Sequence, residues 1–492
     1  MRKFISISIM GFILLLALGS CEDFLEKNPQ GQLTQNTFPV SESDALLVTN
    51  AAYASLRNWH YNSGGFPILD IMSDDSHKGS TPNDALPTIG PYDLFTFSTT
   101  QDGLDRWWAT LYEGIKRTNV VIEKVPSISM NTETRDIYVA EAHFLRALYY
   151  FDLVRAWGGV PLVTSTKPAV KLERSSAEEI YSLIEEDLKF AIANLPEKSE
   201  QTQAEKGRAT KGAAKSLLAK VYLFEHDFVN AEKYALEVIN SSEYDLEANF
   251  SAANGQVGEF GIESIFEVGA STNEGGGGQY ANTQGVRGSP NRGWGFNRPS
   301  LSLRNSFEAN DPRLDATIID LGEVLDGILI LGDGSTPDEI FDGLGNLIEV
   351  ECYNQKVWTP GDNTSTQENH NRRIIRYADV LLIAAEALNE NNKPTDALIY
   401  LNMVRERARE GNVSILLDIT ETNKEILASL ILDERRHELA LEGHRYWDLV
   451  RTGKASEVLG PLGFVVGKHE LLPIPQSEID ISQGTLKQNP NY

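Results

Sequence analysis

Apolar residues between 104 and 122 return every three or four places: Leu104, Trp107, Trp108, Leu111, Ile115 and Ile122 share one stripe. Ala140, Phe144, Ala147, Phe151 and Val154 make a second. Side chains three and four apart lie on one face of an α-helix, so each stripe predicts a helix with a buried side. Gly158-Gly159, with Pro161 just beyond, stops the second helix. Ser175-Ser176-Ala177-Glu178-Glu179 places a hydroxyl three residues before a glutamate, a capped start for a helix running to about Asn194 and stopped before Pro196.

Two stretches repeat one another. In residues 208–240, Ala219 and Ala231 lie 12 apart; in 374–409, Ala385 and Ala397 do the same. Each reads as helix, short polar turn, helix, with small residues where the pair must approach closely. The spacing resembles the tetratricopeptide repeat. The expected fold is therefore mainly α: a tetratricopeptide-like solenoid of helical pairs over about 43–244 and 371–452. Between the repeats, about 245–370, helical periodicity disappears. Gly275 to Gly278 is followed by Arg287-Gly288-Ser289-Pro290-Asn291-Arg292-Gly293-Trp294-Gly295-Phe296, and Ile328–Leu331 and Ile348–Val350 read as short strands. A loop-rich insertion with a few strands, packed on the helical frame, is where binding groups are expected. Residues 43–492 are read as one domain.

The N-terminus sets the compartment. Arg2 and Lys3 precede an apolar run over 4–18, then Leu18-Gly19-Ser20-Cys21. The run is short for a membrane span and fits a cleaved leader of residues 1–20. Leu-Gly-Ser-Cys resembles the bacterial lipobox, which makes Cys21 the lipidated first residue of the mature chain and 21–42 its tether. Several acyl chains on one residue give firm attachment, where one chain is marginal. Glu22 and Asp23 resemble the signal that exports Bacteroidetes lipoproteins to the cell surface. With Cys21 acylated, Cys352 is the second of only two cysteines and has no partner for a disulfide. The formal net charge is −26, and the leader contributes only positive charge. That excess of acid argues against nucleic acid, which needs basic surface.

Two long segments then carry a family resemblance. Ala140-Glu141-Ala142-His143-Phe144-Leu145-Arg146-Ala147-Leu148-Tyr149-Tyr150-Phe151-Asp152-Leu153-Val154-Arg155-Ala156-Trp157-Gly158-Gly159-Val160-Pro161-Leu162 resembles the first hallmark of the SusD/RagB family. Glu434-Arg435-Arg436-His437-Glu438-Leu439-Ala440-Leu441-Glu442-Gly443-His444-Arg445-Tyr446-Trp447-Asp448-Leu449-Val450-Arg451 resembles the second. The opening Cys21-Glu22-Asp23-Phe24-Leu25 and the endings Leu471-Leu472-Pro473-Ile474-Pro475 and Gln488-Asn489-Pro490-Asn491-Tyr492 fit as well. The resemblance implies a lipid-anchored outer-membrane protein, non-enzymatic. Such a protein captures glycan or other nutrient and delivers it to a TonB-dependent transporter of the SusC type. The hallmarks name no ligand.

Glu434, Glu438 and Glu442 fall on one helical stripe, and paired carboxylates serve glycoside hydrolysis. A surface glycoside hydrolase is thus the rival reading. Arg435, Arg436, Arg445 and Arg451 interleave with them, so an ion-pair network accounts for the same residues. His437 and His444 are seven apart, not the four of a zinc helix, and no metal is expected. The glycine run lacks the lysine of a phosphate loop, and no cofactor is expected. Trp107, Trp108, Trp157 and Trp447 read as core. Trp59 and Trp294, in expected loops beside polar residues, suit stacking on sugar C–H faces. Tyr61, Asp75, Tyr280 and Arg292 complete the expected ligand set, with Trp358 a weaker candidate.

Overall fold

A computed structural model describes residues 38–62, 70–169, 171–271, 278–288, 293–360 and 369–492. Cys21, Arg292 and most of the glycine run lie outside them. The main helices are α1 (Glu42–Ala54), α2 (Trp59–Asn62), α3 (Asp102–Lys124), α4 (Thr132–Trp157), α5 (Ala177–Asn194), α6 (Lys211–Phe224), α7 (Phe228–Ile239), α8 (Tyr280–Gln284), α9 (Tyr377–Glu390), α10 (Pro394–Ala408), α11 (Lys424–Leu439) and α12 (Arg445–Arg451). Short helical turns fill several of the connections.

The helices begin and end where local chemistry dictates. Ser176 and Glu179 form the expected reciprocal capping box at the start of α5. Asn131 accepts from Thr134 N at 3.0 Å and caps α4. Gly158 closes α4 at φ +71°, a conformation that L side chains avoid. The two repeats are α6–α7 and α9–α10, and α7 packs on α9, so segments far apart in sequence stack as neighbours. Ala219, Ala231, Ala385 and Ala397 are all fully buried at the close approaches.

Among the described residues, ten short strands pair in twos, all antiparallel: β1 (Ser76–Gly79) with β3 (Phe296–Pro299), β2 (Ser264–Val268) with β10 (Arg372–Arg376), β4 (Ile318–Asp320) with β9 (Cys352–Asn354), β5 (Val324–Leu325) with β6 (Ile328–Leu329), and β7 (Glu339–Phe341) with β8 (Leu347–Val350). The β2–β10 ribbon closes the insertion at its neck, with Ser264 opposite Arg376. One expected boundary is corrected. Within residues 70–101, β1 pairs with β3 and joins the insertion in space, while Ile71, Met72, Tyr92, Phe95 and Phe97 pack in the core of the helical frame. Pro82 and Pro87 interrupt any longer helix there, leaving one helical turn over Gly90–Asp93. The last residues strap the frame, with Leu472 N donating to Ala156 O at 2.7 Å and Trp157 Nε1 to Pro473 O at 2.9 Å.

One large apolar core runs through the helices and the β2–β10 ribbon. A small separate core of Val286, Ile319, Ile330 and Tyr353 supports the insertion. Gly114 on α3 sits where an added Cβ would lie 2.5 Å from the Tyr149 ring on α4. Tyr149 is fully buried and its hydroxyl donates to Ala52 O at 2.9 Å, so the ring has nowhere to retreat. Gly114→Val therefore overpacks this helix pair and is expected to lower stability by about 1–3 kcal/mol, read as a lower denaturant midpoint. An unchanged midpoint would mean that α3 and α4 can separate freely.

The glutamate stripe is buried. Glu434, Glu438 and Glu442 are respectively 2%, 0% and 8% exposed, too little for any of them to meet a substrate. The helix ends at Leu439, so Glu442 sits in the following turn rather than on the helical stripe expected for it; Leu441 and Gly443 turn the chain there at positive φ. Their partners are also different from those the sequence suggested. Arg313 and Arg405 pair with Glu434, Arg313, Arg376 and Arg407 with Glu438, and Arg376 and Lys356 with Glu442. The interleaved arginines turn to other acids: Arg435 to Asp379 and Asp448, Arg436 to Asp74 and Asp75, Arg445 to Asp74, and Arg451 to Glu386 and Asp448. The network thus bolts the insertion, through Arg313 and Lys356, to the helices.

Candidate functional site

Trp59 is 37% exposed, whereas Trp107 is 2% exposed. Asn58 explains its position: its backbone is extended and its Oδ1 accepts His60 N at 2.9 Å, starting the one-turn α2 that holds Trp59 out from the frame. Trp59 stands edge-on to the His60 ring, with centroids 4.7 Å apart.

Trp294 comes from the insertion and faces the same space. Its backbone is pinned by Trp294 N donating to Asn282 O at 2.8 Å, and its neighbours by Gly293 N to Val286 O and Gly295 N to Gly285 O. Gly79 lets β1 approach, since a Cβ there would fall 2.3 Å from Gly295 O. Ser80 N donates to that same carbonyl at 2.6 Å.

Trp59 and Trp294 line one pocket of about 450 Å³, floored by Tyr92 and Phe296. Its size lies within the range of small-ligand sites, and aromatic walls with a few polar groups are their usual make-up. The polar end is Arg287. Its Nη1 donates to Ser80 Oγ at 2.7 Å, Asp84 Oδ2 at 3.1 Å and Trp294 O at 3.2 Å, and its Nε pairs with Asp333. One guanidinium thus joins the 80–84 loop, the Trp294 wall and the 333 loop. Asp102, at the start of α3, lines the opposite side. Asp70, buried and outside the pocket lining, accepts from Gly443 N at 2.8 Å and Asn297 Nδ2 at 3.0 Å; burial pushes its carboxyl up to about 7 against the pull of those donors. Asn297, in β3 at φ +56°, also donates from Nδ2 to Gln284 Oε1 at 2.8 Å.

The other expected ligand residues are elsewhere. Tyr61 is buried beneath the Arg372 guanidinium, 5.5 Å from its ring. Asp75 is buried against Arg436 at 2.6 Å. Tyr280 is buried, its ring stacked on His370. Each is held by a partner in the interior, so none lines the pocket. Trp358 donates from Nε1 to Asp326 Oδ2 at 2.7 Å and packs on the insertion's own core. Arg292 lies outside the described residues. Sequence reading missed Arg287, Asp84, Tyr92 and Phe296. Arg287 stands seven residues before Trp294, but its partners at 80, 84 and 333 are invisible to local spacing. Among the described residues, no group of three or more His, Cys, Asp or Glu side chains is arranged to hold a metal, and no helix is long and apolar enough to cross a membrane.

Known proteins resolve the lineage. A family model described as "SusD family" matches residues 262–463, and a second, "Starch-binding associating with outer membrane", matches residues 23–223. SusD-like protein P2 of Formosa agariphila is 30% identical, over 100% of both chains. The chain belongs to the SusD family. Among solved structures, a laminarin-binding SusD-like protein is 30% identical with a TM-score of 0.77, covering 92% of this chain and 100% of its own. Surface glycan-binding protein A of Bacteroides thetaiotaomicron, in complex with laminarihexaose, is 28% identical with a TM-score of 0.77 and the same coverage. The helical, tetratricopeptide-like fold of this SusD-family chain is thus the fold of glycan-binding proteins, and one of its two family models is described by starch binding at the outer membrane.

Proposed function

We propose that this SusD-family protein captures a neutral glucan, with laminarin the foremost candidate, in the pocket between Trp59 and Trp294. It does no chemistry on the glucan and passes it to a SusC-type TonB-dependent transporter. The observation that carries the reading is the convergence of two tryptophans, from α2 and from the insertion, on one pocket with Arg287 at its end. Aromatic faces stack on sugar C–H faces, while Arg287 and Asp84 offer a donor and an acceptor to hydroxyls. Asp84 pairs with Arg287 and Asp102 with Arg106, so the pocket's charges are matched, as suits an uncharged ligand. The laminarin ligands of two structural neighbours support the glucan class. The hydrolase reading loses its main support, because the glutamates that prompted it are buried and paired.

Lipidation at Cys21 and display on the cell surface complete the proposal. Cells making the intact chain should hold fluorescent laminarin at their outer surface. With Cys21→Ala, both the protein and the retained label should leave the outer-membrane fraction. Retention that survives Cys21→Ala would contradict the anchor, and no retention by the parent would contradict capture.

A further inference from the structure

The pocket does not end at Trp59 and His60. On their far side a groove of about 610 Å³ continues along α3, and His60 lines both spaces. The groove follows one stripe of that helix, on which Arg106 and Glu113 are exposed and Thr110 is buried. Asp102 belongs to the tryptophan pocket, and Arg106, Thr110, Glu113 and Arg117 follow it at steps of four, four, three and four residues into the groove. From Asp102 to Arg117 is about 22 Å of helix axis. The opposite stripe of the same helix, including Leu104, Trp107 and Leu111, is buried in the core, so the platform is rigid.

The charges on this stripe are already matched. Arg106 pairs with Asp102 at 3.2 Å and Arg117 with Glu113 at 2.8 Å. Arg117 is held further by Ala51 O and Ser55 Oγ at 3.1 and 3.2 Å, and Arg57 and Asn58 close the other bank. A guanidinium beside a carboxylate presents donors and acceptors side by side. Hydroxyl groups, which both donate and accept, pair with such a surface, whereas an anion finds the positive charge already compensated. His60 Nδ1, at the partition, has no hydrogen-bond partner among the described residues, so turning the ring toward a ligand breaks no bond.

We propose that the groove along α3 is a second subsite, which takes the continuation of the same neutral glucan chain across the Trp59–His60 ridge. The protein then recognises an internal stretch of a long chain rather than a short terminal fragment. This rests on the tryptophan pocket as the first subsite.

The test is a calorimetric titration of laminari-oligosaccharides, from disaccharide to hexasaccharide, into the parent, Ala109→Trp and Glu113→Ala. Ala109 is exposed on the groove wall, so a tryptophan there fills the groove without touching the core. In the parent the hexasaccharide should bind about tenfold or more tighter than the disaccharide, the gain of two or three added hydrogen bonds. Both variants should keep the disaccharide affinity and lose the gain. Equal affinity at both lengths in the parent, or a full gain in both variants, overturns the second subsite. Trp294→Ala separates the two readings: disaccharide binding untouched by it, or no binding at any length in the parent, overturns the first subsite and the extension with it.

Discussion

Trp294→Ala is expected to weaken laminarihexaose binding by about 30-fold or more, the loss of a binding hot spot of about 2 kcal/mol, while leaving the thermal midpoint close to the parent's. The reasoning is geometric. The side chain is only part-buried and faces the pocket, whereas its loop is fixed through the backbone by Asn282 O and Arg287, which the substitution leaves in place. Trp59→Ala should act in the same direction, because it removes the facing wall. Trp358→Ala provides the contrast. That indole packs on the insertion's core and is tied to Asp326, so its loss should lower stability and spare affinity. Intrinsic fluorescence titrations of the three variants distinguish the cases, and an unchanged affinity for Trp294→Ala would remove the pocket from the account.

Arg376→Met should be the most damaging single change in the frame, costing about 3–5 kcal/mol. Arg376 is 2% exposed and reaches Glu263, Glu438 and Glu442 at 2.6–2.7 Å. A methionine fills much of the volume but leaves three buried carboxylates short of a cation. The same contacts set an acid limit. Burial pushes Glu442 up, but Arg376 and Lys356 outweigh it and bring the carboxyl to about 2. Its folded pKa therefore lies below the unfolded value of about 4.3. The stability it contributes is full above about 4.3 and is lost as pH falls through about 2. With Arg376 gone, that loss begins at higher pH. Acid unfolding followed by circular dichroism should show the variant's transition shifted upward in pH, and coincident transitions would contradict the network's role.

Helices were legible in the sequence where one residue pattern decides them. The stripe from Leu104 to Ile115 marks α3, Ser176 and Glu179 mark the start of α5, and the 12-residue alanine spacing marks both repeats. Close approaches made by a single glycine were not: nothing near Gly114 shows that Tyr149 will lie against it. The site was half legible for the same reason. Trp59 and Trp294 stand out as aromatic residues in polar loops. Arg287 gains its meaning only from Ser80, Asp84 and Asp333, which are 46 to 207 residues away. Tyr61, Asp75 and Tyr280 misled because local polarity resembles exposure. Each is in fact buried against a residue distant in sequence: the Tyr61 ring under Arg372, Asp75 paired with Arg436, and the Tyr280 ring stacked on His370. The glutamate stripe misled in part: ion pairing was foreseeable, but the partners come from β10, α10 and the insertion rather than from the adjacent arginines.

The most direct measurement is a calorimetric titration of laminarihexaose into residues 22–492, with the recovered sugar analysed by chromatography afterwards. Capture without chemistry predicts saturable one-to-one binding and an intact hexasaccharide. Absence of binding, or release of shorter sugars, would contradict it.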